Sequence, residues 1–290
     1  MSAAPRQYGE IFDRGYLHYT GPRLGQAHAI WALARYSMAR ALGIHRSWTA
    51  KIIPLALYAA VAIPVAVAIG IRAFLPAFQF LDYPEFFGAI FLLEGIFVAL
   101  IAPEMVSTDR HDRLLPLYFS RPISRGSYVL AKILGTGILT LTISVAPAVV
   151  LWLGNGLLAP EPFSALRDSL GDLGRIVVAG TLIAFYLGAI GLLISSFTGR
   201  KSVAVGIIVL GFVLSESLAV AVIQALRDRP DIQRWVFAMS PSRNIAAMLG
   251  GLFDVPDLSD GVPLGFSIGA MLVVVAVCWL VMFAWYRRDA

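Results

Sequence analysis

Few residues in this 290-residue chain can do chemistry, and their spacing excludes most of it. The four histidines, His18, His28, His45 and His111, all stand outside the long apolar runs. No HExxH pair exists to hold zinc on one helix face, and no Ser–His pairing can be drawn within an apolar run. Gly199-Arg200-Lys201-Ser202 lacks the upstream glycine of a GxxxxGK[ST] phosphate loop. The single cysteine, Cys278, leaves no intrachain disulfide. The carboxylates are too scattered to form a paired acid–base site on one helix. What remains is two carboxylates inside apolar runs, Glu94 and Glu216, and one charged segment between runs, Pro103–Lys132.

The elements that position these groups follow from hydropathy. Hydrophobic residues make up 58% of the chain and charged residues only 14%. With a mean hydropathy of +0.77, this composition excludes an ordinary soluble domain. Six runs reach the roughly 20 residues needed to cross a bilayer core: Ile52–Ile71, Phe86–Ala102, Ile133–Leu158, Ile176–Thr198, Ser202–Leu226 and Val262–Tyr286. The expected fold is all-α: a polytopic membrane protein with six transmembrane helices.

Orientation follows from Lys and Arg in the connections. Sixteen of the 23 basic residues fall on the side of the two termini and seven on the other. Both termini and the Pro103–Lys132 segment are therefore expected in the cytoplasm, with the chain multi-pass in the plasma membrane. The net charge of +5 reflects this bias and requires no nucleic acid.

Residues 1–51 read as a cytoplasmic arm followed by a helix over Leu24–Trp48. That helix carries His28, Arg35 and Arg46 on one face and Ile30, Ala34 and Ala41 roughly opposite, with Arg40 at the flank. It suits a helix lying in the membrane interface, or a cytoplasmic helix packed on a partner. Residues 52–286 form the six-span domain, and 287–290 a cytoplasmic tail. Within 227–261, too polar to span, helical pieces are expected around Asp231–Phe237 and Pro241–Leu252, at the outer interface.

In the charged segment, Thr108 can cap a short helix beginning at Asp109, and Pro116 limits it. Arg110 and Arg113 share a face. Ser124 can cap the third span. The segment reads as a short helix across the ends of spans two and three, offering Arg110, Asp112 and Arg113 to a partner; a solvated basic loop fits the same residues. Glu94 and Glu216 each cost about 2.5–3.5 kcal/mol at mid-membrane unless partnered. Each suits a polar contact at a dimer seam or substrate path, or a buried structural hydrogen bond or protonated acid. Gly265 and Gly269 form a GxxxG pair suited to close helix packing.

The run Asp109-Arg110 … Leu114-Leu115 … Ser120-Arg121-Pro122-Ile123-Ser124-Arg125 … Lys132 resembles the type-2 ATP-binding-cassette (ABC) exporter permeases. Their pattern there is Glu-Arg, Gly-Thr, a leucine run, Ser-x-Pro-x-Ser-Arg and a later Lys. This chain has Asp109 for the Glu and Arg113-Leu114 at the Gly-Thr. Gly191-Leu-Leu-Ile-Ser-Ser-Phe-Thr198 and Ser240-Pro241-Ser-Arg-Asn244 agree as well. Gly15-Tyr16 … Tyr19-Thr20-Gly21-Pro22-Arg23-Leu24-Gly25 looks like an actinobacterial-type branch. The resemblance covers essentially the whole chain.

The resemblance implies a non-catalytic permease subunit, coupling ATP hydrolysis by a separate nucleotide-binding subunit to export. Leu24–Trp48 would be the connecting helix, and about 107–115 the coupling helix. The implied ATPase-facing residues are Glu104, Thr108, Asp109, Arg110, Asp112 and Arg113, with Arg35 and Arg46. Two permease chains, identical or not, would join two ATPase chains that hold ATP and Mg. Spans one, two and five would line the path, with a re-entrant outer gate at about 227–261. A membrane anchor or scaffold for an ATPase, without transport, is the alternative. A passive channel is disfavoured by the scarcity of polar residues.

Overall fold

The computed structural model describes residues 21, 24–44, 46–76, 78, 80–119, 123–226, 229, 235–237, 239–259 and 261–288. The helices are α1 Gln26–Ala41, α2 Trp48–Phe74, α3 Tyr83–Met105, α4 Ser107–His111, α5 Leu115–Phe119, α6 Arg125–Leu157, α7 Pro162–Asp168, α8 Leu170–Phe197, α9 Lys201–Ala225, α10 Pro241–Leu252, α11 Pro256–Ser259 and α12 Leu264–Arg288. Six of them, α2, α3, α6, α8, α9 and α12, are long and apolar enough to cross a membrane, and they match the six expected runs, four of which overshoot their helix by a residue or two at one end. No strand occurs among the described residues. Of the predicted outer piece at Asp231–Phe237, residues 231–234 lie outside the described set, and 235–237 are helical. Most of the N-terminal stretch also lies outside it.

Three expectations change. The helix predicted over Leu24–Trp48 ends at Ala41. Gly43 takes φ +71°, and Ile44 N–H donates back to the Ala39 carbonyl at 2.8 Å, which closes the helix. A side chain at Gly43 would also meet the Ala50 carbonyl oxygen at 2.9 Å. Arg46 and Trp48 thus lie beyond the break. The coupling segment is two short helices rather than one, with a turn at Asp112-Arg113 between α4 and α5. Thr108 is not the cap of α4; it lies inside, its hydroxyl donating to Glu104 Oε2 at 3.1 Å. Ser124 does cap α6, accepting from Ser127 N–H at 3.1 Å.

α3, α6 and α8 form the centre, each packed on the other two. Lipid is as apolar as leucine, so close packing rather than water exclusion must hold spans together. Glycines supply it: Gly191 of α8 lies under Val98 and Ala102 of α3, and Gly180 of α8 under Val145 of α6. α2 and α9 are the most peripheral spans. Gly265 and Gly269 face open space: no described atom lies within 4 Å of a side chain built there. That pair packs on no described helix. α1, α4, α5 and the 198–200 turn gather at one end with the start of α6 and the end of α12, where Arg125 Nη1 donates to the Arg287 carbonyl at 2.9 Å. α7 and α10 lie at the other.

Candidate functional site

The site grows from the way α3 ends. A last helical turn leaves carbonyls without partners. Arg40, from α1, reaches them: its Nη2 donates to the Glu104 carbonyl at 2.6 Å. Its Nη1 donates to Asp109 Oδ1 on α4, also at 2.6 Å. Asp109 Oδ2 accepts from Lys132 Nζ of α6 at 2.6 Å and from the Tyr128 hydroxyl at 2.9 Å. Lys132 donates further to Ser37 of α1 at 2.7 Å. Asp109 and Lys132 are fully buried, and Arg40 nearly so. Burial works to lower the Arg40 pKa, but the neighbouring Asp109 carboxylate and its hydrogen bond outweigh this. The guanidinium is held charged, above its usual value. One carboxylate thus ties α4 to α1 and α6, and Arg40 carries the tie to α3.

A second tie runs through Glu104, also buried. Its Oε1 meets Arg46 Nη1 at 2.8 Å and, closer still, Lys201 Nζ. This joins the α1–α2 link and the first residue of α9 to the end of α3. A third tie anchors α4 on the last turn of α8. Ser107 Oγ donates to the Ser195 carbonyl at 2.9 Å, Arg110 Nη1 donates to the Ser196 carbonyl, and the Arg110 guanidinium lies 5.7 Å from the Trp285 ring centroid. A cation at a helix C-terminus complements its dipole.

These ties decide which predicted residues face outward. His111, Asp112, Arg113 and Leu117 are exposed on α4, the turn and α5; Arg35 and Tyr36 are exposed on α1. Tyr36 and Tyr118 both lie beside Arg40, which brings the α1 and α5 surfaces together. Glu104, Thr108, Asp109 and Arg110 hold the α4 segment from within. Arg46 points to Glu104 rather than lying on one face with Arg35. Arg113, at the departure from Gly-Thr, takes φ +52°, the left-handed region that glycine adopts without strain. Arg40, Lys132, Ser37 and Tyr128 were missing from the sequence-predicted site. Arg40's place at the flank of an otherwise segregated helix, and Lys132 closing the motif, were the available signals.

Glu216 and Glu94 have separate surroundings. Glu216 of α9 accepts from Ser240 Oγ at 2.9 Å, from Ser242 Oγ, and from Arg243 Nε at 3.2 Å. It clamps the start of α10 onto α9. Glu94 is buried beside Ser144 of α6, and its Oε1 makes no hydrogen bond to a described residue.

The comparisons with known proteins decide the family. The family model for ABC-2 family transporter proteins matches residues 26–289. The chain belongs to the ABC-2 transporter family. The probable ABC transporter permease protein NosY of Stutzerimonas stutzeri is 28% identical over 211 residues, covering 68% of this chain and 72% of the relative. This chain is accordingly a transmembrane permease subunit of an ABC transporter, a multi-pass membrane protein that works with a partner ATPase subunit. Such permease subunits are ordinarily non-catalytic. In the permease, the α1/α4/α5 end carries an exposed surface in which α1 and α4 are tied by buried polar groups to the spans α3, α6 and α8, and α5 packs on α6 through Tyr118 and Tyr128.

Proposed function

We propose that this permease receives the ATPase at the α1/α4/α5 surface and uses it to drive export. Arg35 and Tyr36 of α1, with Asp112, Arg113 and Leu117, form the contact. α1 acts as the connecting helix, and α4–α5 as the coupling element. Two permease chains and two ATPase chains make the transporter, and ATP and Mg reside in the ATPase chains. Both termini lie in the cytoplasm, in keeping with sixteen of 23 basic residues on that side.

The observation that carries this reading is the anchoring of α4. A five-residue helix cannot be stable alone. Here it is held by Asp109, Ser107 and Arg110 to α1, α6 and α8. A push on the exposed turn therefore reaches several spans at once, as near-rigid displacement rather than local bending. The test is replacement of Asp112, Arg113 and Leu117 by Ala, with co-purification of the ATPase and substrate-linked ATP hydrolysis as readouts. Loss of both with an unchanged permease melting temperature supports the assignment. Wild-type assembly and hydrolysis refute it.

A further inference from the structure

α3, α9 and α10 border an open groove of about 600 Å³ that the coupling surface does not use. Its size falls within the roughly 300–1,000 Å³ of small-molecule sites. Phe91, Leu92, Phe212 and Val213 line one part, and Glu216, Ser242 and Arg243 line the other. Phe91 and Phe212 meet edge to face at 6.2 Å between ring centroids. One wall is thus aromatic and aliphatic, and one end is charged.

The hydrogen-bond account of the charged end decides what it can take. Glu216 is engaged on both oxygens: Oε1 by Arg243, and Oε2 by the hydroxyls of Ser240 and Ser242. The two hydroxyls, 3.0 Å apart, direct their protons to Glu216 or to one another. Arg243 uses Nε and Nη2 towards Glu216, and its Nη1 donates to no described residue. The Arg243 side chain is 28% exposed, and Phe237 covers its guanidinium face with the ring centroid at 5.9 Å. The capacity left over is therefore that of a donor, on a cation already fixed in orientation.

We propose that this groove binds an anionic amphiphile: a phosphate, sulfate or carboxylate head on Arg243, with an alkyl or aryl body along Phe91, Leu92, Phe212 and Val213. This deepens the transporter reading, since α9 runs from the groove to the opposite end, where its first residue, Lys201, holds Glu104. Glu216 acts as the positioning residue that aims the guanidinium.

The probe is dodecyl phosphate, with dodecanol and dodecyltrimethylammonium as controls. Binding to the full-length permease in nanodiscs is measured directly, beside ATP hydrolysis by the complete transporter. Saturable binding of dodecyl phosphate is expected, stronger than that of either control. Arg243→Gln weakens it about tenfold or more, the scale of a lost hydrogen bond to a charged group. Arg243→Lys, which keeps the charge, recovers part of the loss. Leu92→Trp narrows the apolar wall and weakens binding while leaving the charged end intact. Equal binding of dodecanol, preference for the cation, or unchanged affinity in Arg243→Gln overturns the proposal. These results leave the transporter reading standing if ATPase assembly on the permease is normal. Failure of assembly, with dodecyl phosphate still bound, sinks that reading instead and not the site.

Discussion

Asp109→Asn removes one negative charge from a node that holds two buried cations. Arg40 and Lys132 both stand 2.6 Å from its carboxylate, and Asp109 is fully buried. The amide keeps the shape and leaves both cations uncompensated in a low-dielectric site. Breaking a buried pair from one side costs about 3–5 kcal/mol. At about 2–4 °C per kcal/mol for a large domain, that is a fall in Tm of about 10 °C. Lys132→Met is a different change: it leaves Arg40 and Asp109 paired and puts an apolar chain in the buried space. Its expected cost is smaller, about 1–2 kcal/mol. The double variant removes one cation along with the anion, so its loss falls well below the sum of the two single losses. The assay is thermal unfolding of the purified permease in one detergent, for wild type, both singles and the double. The reasoning fails if Asp109→Asn melts with wild type, if Lys132→Met is the worse of the two, or if the losses add.

Three further outcomes follow from the same region. Glu104→Gln unties Arg46 and Lys201, whose side chains are both over 40% exposed; solvent screening limits the loss to about 1 kcal/mol, and melting at high salt should shrink the gap to wild type. Arg113→Gly relieves the left-handed backbone at φ +52° and leaves Tm unchanged or slightly raised, whereas Arg113→Val lowers it, because a branched side chain is least tolerated there. Burial, with the Asp109 charge adding, pushes the Tyr118 phenol up to about 12. The folded chain then keeps this proton where the unfolded chain, with a phenol near 10, has lost it. The associated stability is complete below about pH 10 and disappears as pH rises towards about 12. The alkaline fall in Tm should therefore be shallower in Tyr118→Phe than in wild type; equal slopes contradict it.

The six spans were legible because runs of about 20 apolar residues have no other stable setting. Pro241–Leu252 was legible too, with a proline at its start and an apolar run after its polar first turn. The break at Gly43 was harder to read: glycine is tolerated in helices, and only its left-handed φ together with the approach of Ala50 shows that the chain turns there. The inward roles of Glu104 and Asp109 were hidden for a different reason. Their partners, Arg46, Lys201, Arg40 and Lys132, come from four separate places in the chain. Periodicity marks a charged residue as polar, and so as outward, unless a distant opposite charge is known to be waiting. Glu216 illustrates the same limit: its partners Ser240, Ser242 and Arg243 lie within a motif the sequence singled out, yet nothing local joins that motif to α9.

Coupling through α4 requires the ATPase to meet the exposed turn between α4 and α5. A photoreactive residue in place of Asp112, compared with one in place of Phe163 at the opposite end of the molecule, tests this in the assembled transporter. Phe163 is 91% exposed, so access alone does not favour position 112. Docking at this turn gives an adduct with the ATPase subunit from position 112 and none from position 163. An ATPase adduct from position 163, or none from position 112 in a complex that hydrolyses ATP, would contradict it.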